Sequence, residues 1–182
     1  MQSTFYKIKF RKTQKMKKTK QLKKIKFCLL LFIISLFVSG LTAIPIDAEL
    51  SLLLHYVPDN TGLHYWFAKV LSAYELTKQQ YPFLLYGYDW LAFAHFVLAI
   101  LFVGPYKNPA RNIWVIEFGL IACVLIIPFA FIAGWFRGIP FGWILIDCSF
   151  GVFGFALLGY CYKQLTKIFP SISRIKAQHQ SI

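Results

Sequence analysis

Four stretches of this chain stay apolar for about twenty residues each, and short segments carrying charge, glycine or proline separate them. The run length matches a helix crossing about 30 Å of hydrocarbon at about 1.5 Å per residue. The pattern predicts spans over 27–46, 83–104, 113–135 and 141–162. Pro45 and Asp47 close the first, Gly104 and Pro105 close the second, and the others end at similar breakers. The expected class is all-α: a polytopic membrane protein with a four-transmembrane-helix bundle.

The connection over 47–82 is too long for a bare loop. Its middle predicts an amphipathic helix over about 61–78, capped within Asp59-Asn60-Thr61. Trp66, Phe67, Val70, Leu71 and Tyr74 then share one face, with His64, Lys69 and Glu75 off it. Such a helix either packs across the bundle ends or lies in the membrane interface. Tyr81, Tyr86, Tyr88 and Trp90, with Trp135 and Trp143, suit an interfacial aromatic belt.

Charge orients this pattern. The chain has 20 Lys and Arg against 7 Asp and Glu, and 11 of the basic residues lie before Phe27. With the N-terminus inside, 17 basic residues fall on the cytoplasmic side. Lys69, Lys78 and Arg137 are left outside. The positive-inside rule therefore places both termini in the cytoplasm. The basic tails, 1–26 and 163–182, are expected to be disordered in solution and to lie on anionic inner-leaflet lipids. No base-stacking platform or nucleic-acid module accompanies the charge, so no nucleic-acid partner is expected. The run ending in Val38-Ser39-Gly40 resembles a signal-peptide core, but it continues past Gly40, which favours an uncleaved anchor. Met16 is an alternative start.

Cys28, Cys123, Cys148 and Cys161 all lie in apolar runs without close pairing, as small buried hydrophobes would. No phosphate loop, nucleophile elbow or zinc-ligand spacing occurs, so no cofactor or metal is expected. His55 and His64 in the long connection match no ligand pattern.

Polar groups inside spans are costly and usually face the protein interior. Asp89, His95, Arg137 and Asp147 form a candidate polar pocket. Asp147 is six residues into the fourth span, with Gly151 and Gly154 on its face, a stripe that admits a neighbouring helix. Arg137 immediately precedes that span and can reach back to the acid. His95 lies mid-span with Ala92 and Ala99 near its face. It is six residues from Asp89, too far for a direct i,i+4 pair. Glu117 enters the third span near Arg111, and an ion pair at the inner face is expected. Pro128 should kink that helix.

The segments Tyr86–His95, Gly104–Asn112 and Ile146–Gly154 resemble small uncharacterised bacterial four-span membrane proteins. More distantly, the order Asp89, His95, Arg137, Asp147, Gly151, Gly154 is similar to VanZ-like proteins, a family associated with glycopeptide-antibiotic resistance and envelope lipids. The chain departs from that layout in a longer acid-to-histidine spacing, in Trp90 where a basic residue is usual, and in lacking an acid late in the third span. The resemblance implies an outer-leaflet site that binds or modifies an envelope lipid or small ligand. The residue pattern alone suits, with fewer assumptions, a membrane subunit, scaffold or assembly factor with a membrane-protein partner and no chemistry.

Reporter fusions test the orientation. Fusions after Asn112 and after Ile182 should read cytoplasmic, and one after Thr61 external. The opposite pattern would reverse the topology.

Overall fold

The computed structural model describes residues 2–170, with side chains described over residues 14–170. Six α-helices account for most of it, and there is no strand among the described residues. They are α1 (Gln2–Thr42), α2 (Ile46–Tyr56), α3 (Gly62–Gln80), α4 (Tyr86–Lys107), α5 (Ile113–Arg137) and α6 (Phe141–Ile168). A 3-10 turn, Pro82–Leu85, leads into α4. Four helical segments are long and apolar enough to cross a membrane: Gln14–Thr42, Pro82–Lys107, Ile113–Arg137 and Phe141–Ile168. The protein is therefore an all-α membrane protein.

Several boundaries differ from the sequence expectation. The basic segment over 1–26, expected to be disordered, continues the first helix, because α1 already runs from Gln2. Its Lys, Arg and Gln residues are good helix formers, and no Gly or Pro occurs before Gly40. The first span ends at Thr42 rather than 46. Pro45 disfavours helical backbone at Ile44, and it starts α2 instead of ending α1. The second helix runs through Pro105 to Lys107. Pro105 removes one backbone donor there, and Asn112 closes that end: its Nδ2 donates to the Gly104 carbonyl at 3.1 Å and to the Asn108 carbonyl at 3.0 Å. α5 ends at Arg137 rather than 135, with Pro128 inside it as expected from the span. The last helix runs on to Ile168, and the tail over 171–182 lies outside the described residues.

The long connection holds two helices. The expected one is α3. Thr61 caps it, accepting from the His64 backbone N–H at 3.1 Å. Phe67 is buried, and Trp66, Val70, Leu71 and Tyr74 are half-buried on the same side. The additional helix is α2. Leu50 is buried and Ile46 and Leu54 are half-buried, an i,i+4 stripe that packs α2 on α3.

The chain divides into two compact units. One comprises Ile34–Ile100: the end of α1, then α2, α3 and most of α4. In it Gly40 lets the α1 backbone meet α4. A Cβ on Gly40 would stand 2.9 Å from the Ala92 carbonyl oxygen and 3.0 Å from His95 Cβ. The Phe37 and Phe96 rings pack beside this contact, 5.2 Å apart.

The other unit is Met1–Ile33 with Leu101–Ile182. Its core is the antiparallel pair α5–α6. Gly138, with φ +65, supplies the left-handed residue that ends α5, and Ile139 N–H bonds back to the Gly134 carbonyl at 2.9 Å. Below this turn small residues set the helix spacing. A Cβ on Gly151 would lie 2.7 Å from the Cys123 carbonyl oxygen, and one on Gly134 would lie 2.6 Å from Ile144 Cδ1. The first part of α1 packs along α6. Ile25 and Leu29 are fully buried, Phe32 meets Gly154, and the Cys161 thiol donates to the Ile25 carbonyl at 3.7 Å. Cys123, Cys148 and Cys161 are buried here as small apolar side chains, all unbridged.

Substitution separates these glycines. Gly151→Ala drives a methyl into α5 backbone and should destabilise the protein by about 1–3 kcal/mol. Gly142→Ala faces open space and should not destabilise it. Thermal or denaturant unfolding in detergent reads the difference, and equal midpoints would refute the seam.

Candidate functional site

Arg137 and Asp147 line one cleft of about 270 Å³ between α5 and α6, near the Gly138–Pro140 turn. The α5 wall is Ile126, Phe129, Ala130, Ala133 and Gly134, with Ile139 from the turn. Positions 126, 130, 133 and 137 recur at helical spacing, so one stripe of α5 carries the guanidinium to the aspartate side of the pair. Asp147 is half-buried and Arg137 exposed. Among the described residues no ion pair within 4.0 Å joins their side chains. An acid and a base thus open into the same largely apolar cleft while each keeps its bonding capacity. On the other side of the turn Phe131, Trp135 and Phe141 line an apolar cleft of about 600 Å³.

Asp89 and His95 lie on α4, in the other unit. Asp89 occupies the first turn, where the helix dipole favours an acid. It lines a shallow cleft of about 270 Å³ with Tyr86, Trp90 and Phe93. The Trp90 ring meets the Tyr86 and Phe93 rings edge-on at 5.9 and 5.6 Å. His95 is half-buried against Gly40, and its Nδ1 lies 2.7 Å from the Leu91 carbonyl oxygen. A carbonyl oxygen only accepts, so Nδ1 is the donor of that bond. Ala92 and Ala99 on the same helix are buried. Glu117 is half-buried on α5, and Arg111 is exposed in the preceding turn, where its backbone N–H bonds Asn108 Oδ1 at 3.2 Å.

His64 has a local role. Its Nδ1 is 3.1 Å from the Val57 carbonyl oxygen and 3.5 Å from Asp59 Oδ1, which ties the α2–α3 turn together. Among the described residues, no three His, Cys, Asp or Glu side chains form a metal-sized group.

Two features were not anticipated. The first is a cleft of about 410 Å³ where Lys23, Lys24, Phe27 and Cys28 of α1 meet Tyr160 of α6. Its signal was the junction of basic and apolar residues at 23–28. The second is an ion pair from Lys78 to Asp47, with Nζ 2.7 Å from Oδ2. The two residues are 31 positions apart, and no periodicity joins them.

No family model, curated protein or solved structure matches the chain.

The Asp47–Lys78 pair carries a pH dependence. The hydrogen bond from Lys78, together with that from the Ala48 N–H, holds the Asp47 carboxyl below its ordinary range. The same bond from Asp47 holds Lys78 above its ordinary range. The aspartate's contribution is present above its unfolded pKa, about 4, and is lost as pH falls through its lowered folded value. The lysine's contribution is complete below about 10.4 and fades as pH rises through its raised folded value. Both groups are solvent-exposed, so the effect is local tethering of α2 to α3 rather than global stability. Lys78→Ala should speed amide hydrogen exchange in α2 at neutral pH. It should change nothing once Asp47 is protonated. Equal exchange with and without Lys78 at neutral pH would refute the tether.

Proposed function

We propose that the chain is an integral protein of a bacterial inner membrane, with both termini cytoplasmic, that works by association rather than chemistry. It serves as a non-catalytic subunit, scaffold or assembly factor. The supporting observation is the surface its spans leave uncovered. Only 17–28% of each span's most apolar window is buried within the protein. Large side chains on α5, Leu125, Phe129, Ile132 and Phe136, stay exposed along one stripe. Lipid covers such a surface in a lone protein, and a partner's helices cover part of it in an assembly. The basic N-terminal segment adds attraction to anionic inner-leaflet lipids, worth about 1 kcal/mol for each basic residue near the surface.

A second reading is supported by the Arg137–Asp147 cleft. In the proposed orientation it opens toward the outer leaflet, where it would bind an envelope lipid or small ligand, as the distant VanZ-like layout implies. Asp89 and His95 remain candidates for the same function on α4.

Photo-crosslinking in intact membranes tests the primary reading. A probe placed in turn at Leu125, Phe129 and Ile132 should give one discrete protein adduct of constant mass. A probe at buried Val115 should give none. Lipid adducts alone from every exposed position would overturn it.

A further inference from the structure

We infer that the α5–α6 cleft holds the headgroup of a zwitterionic aminophospholipid, its phosphate against Arg137 and its primary ammonium against Asp147. This rests on the lipid-site reading and names the lipid class. The cleft offers one fixed cation and one acid on a shared apolar wall, and no bond between the two side chains satisfies them. The forked guanidinium matches phosphate oxygens, and a carboxylate accepts the N–H bonds of an ammonium. Asp147 lies six residues into its span, where an uncompensated charge is expensive. A ligand carrying both charges neutralises the acid and the base together. An anionic headgroup answers Arg137 but brings negative charge toward Asp147.

The remainder of the lining identifies the source of that headgroup. Ile126, Phe129, Ala130 and Ala133 offer no polar contact, and they continue the cleft along α5 within the span. A soluble zwitterion gains nothing from that wall, whereas an acyl chain attached to the headgroup packs on it. A primary amine also fits Asp147 better than a quaternary one, which has no N–H to donate.

The test uses the full chain in mild detergent, with native mass spectrometry of retained lipid. Phosphatidylethanolamine, phosphatidylcholine and phosphatidylglycerol with identical acyl chains are added in equal amounts. The ethanolamine lipid should be retained roughly tenfold over the other two, the scale of charge-assisted hydrogen bonds. Asp147→Asn should abolish its preference over phosphatidylcholine. Arg137→Gln should lower retention of all three. Should Asp147→Asn fail to fold, the wild-type protein gives the same information with N-methylated ethanolamine lipids. Retention should fall stepwise as methyl groups replace N–H donors. Free phosphoethanolamine at millimolar concentration should not displace the lipid, and displacement would overturn the lipid source. Retention of phosphatidylglycerol through Arg137, with no preference for ethanolamine, would overturn the headgroup assignment while sparing the lipid-site reading. Absence of any retained lipid would overturn both. Equal retention of all three lipids, unchanged by either substitution, would overturn the cleft as a headgroup site.

Discussion

A transmembrane helix gains little from burying leucine against leucine, because lipid tails are as apolar as the partner helix. Association then depends on how closely backbones approach. In this protein that constraint settles on a few glycines. Gly151 places α6 against the Cys123 carbonyl of α5, and Gly134 accepts Ile144 near the turn. The left-handed Gly138 reverses the chain so that the two surfaces can meet. With the pair aligned in this way, Asp147 comes to face the α5 stripe that ends in Arg137. The charged cleft is a consequence of the glycine seam rather than a separate construction.

The same economy explains the contact on α4. His95 is polar and mid-span, yet its Nδ1 is satisfied by a carbonyl of its own helix one turn back. Gly40 removes the side chain that would otherwise hold α1 away from it. A histidine engaged in this way contributes to packing. Asp89, by contrast, sits at the exposed helix start beside aromatic rings, where its charge costs little and complements the dipole. The ionisable groups of the spans therefore differ in kind. His95 supports a seam, Asp89 complements a helix dipole, and Arg137 and Asp147 open into a common cleft.

Outside the spans the polar connection uses ordinary soluble-protein devices. Thr61 caps α3, His64 closes the turn before it, and Lys78 reaches Asp47 at the start of α2. Tyr74 of α3 meets Tyr88 of α4 edge-on at 6.3 Å, which anchors the connection to the beginning of a span. Each device is individually weak. Together they define a surface with fixed charges and several exposed aromatic rings.

The sequence by itself determined the helical class, the four spans and the amphipathic helix α3. Each rests on local periodicity and on run length against bilayer thickness, and neither needs a distant residue. It also marked Asp147 with Gly151 and Gly154 as one face, because positions four and seven apart on a helix align. Pro45 shows where local reading fails. A proline signals a break, but only the fold decides whether it ends one helix or starts the next, and here it starts α2. Pro105 fails in the other direction, since α4 runs through it to Lys107. The meeting of Gly40 with His95 and of Lys78 with Asp47 was decided by tertiary structure alone. Those contacts depend on which faces of separate helices come together, and hydrophobic pattern specifies that a face is buried without specifying its partner.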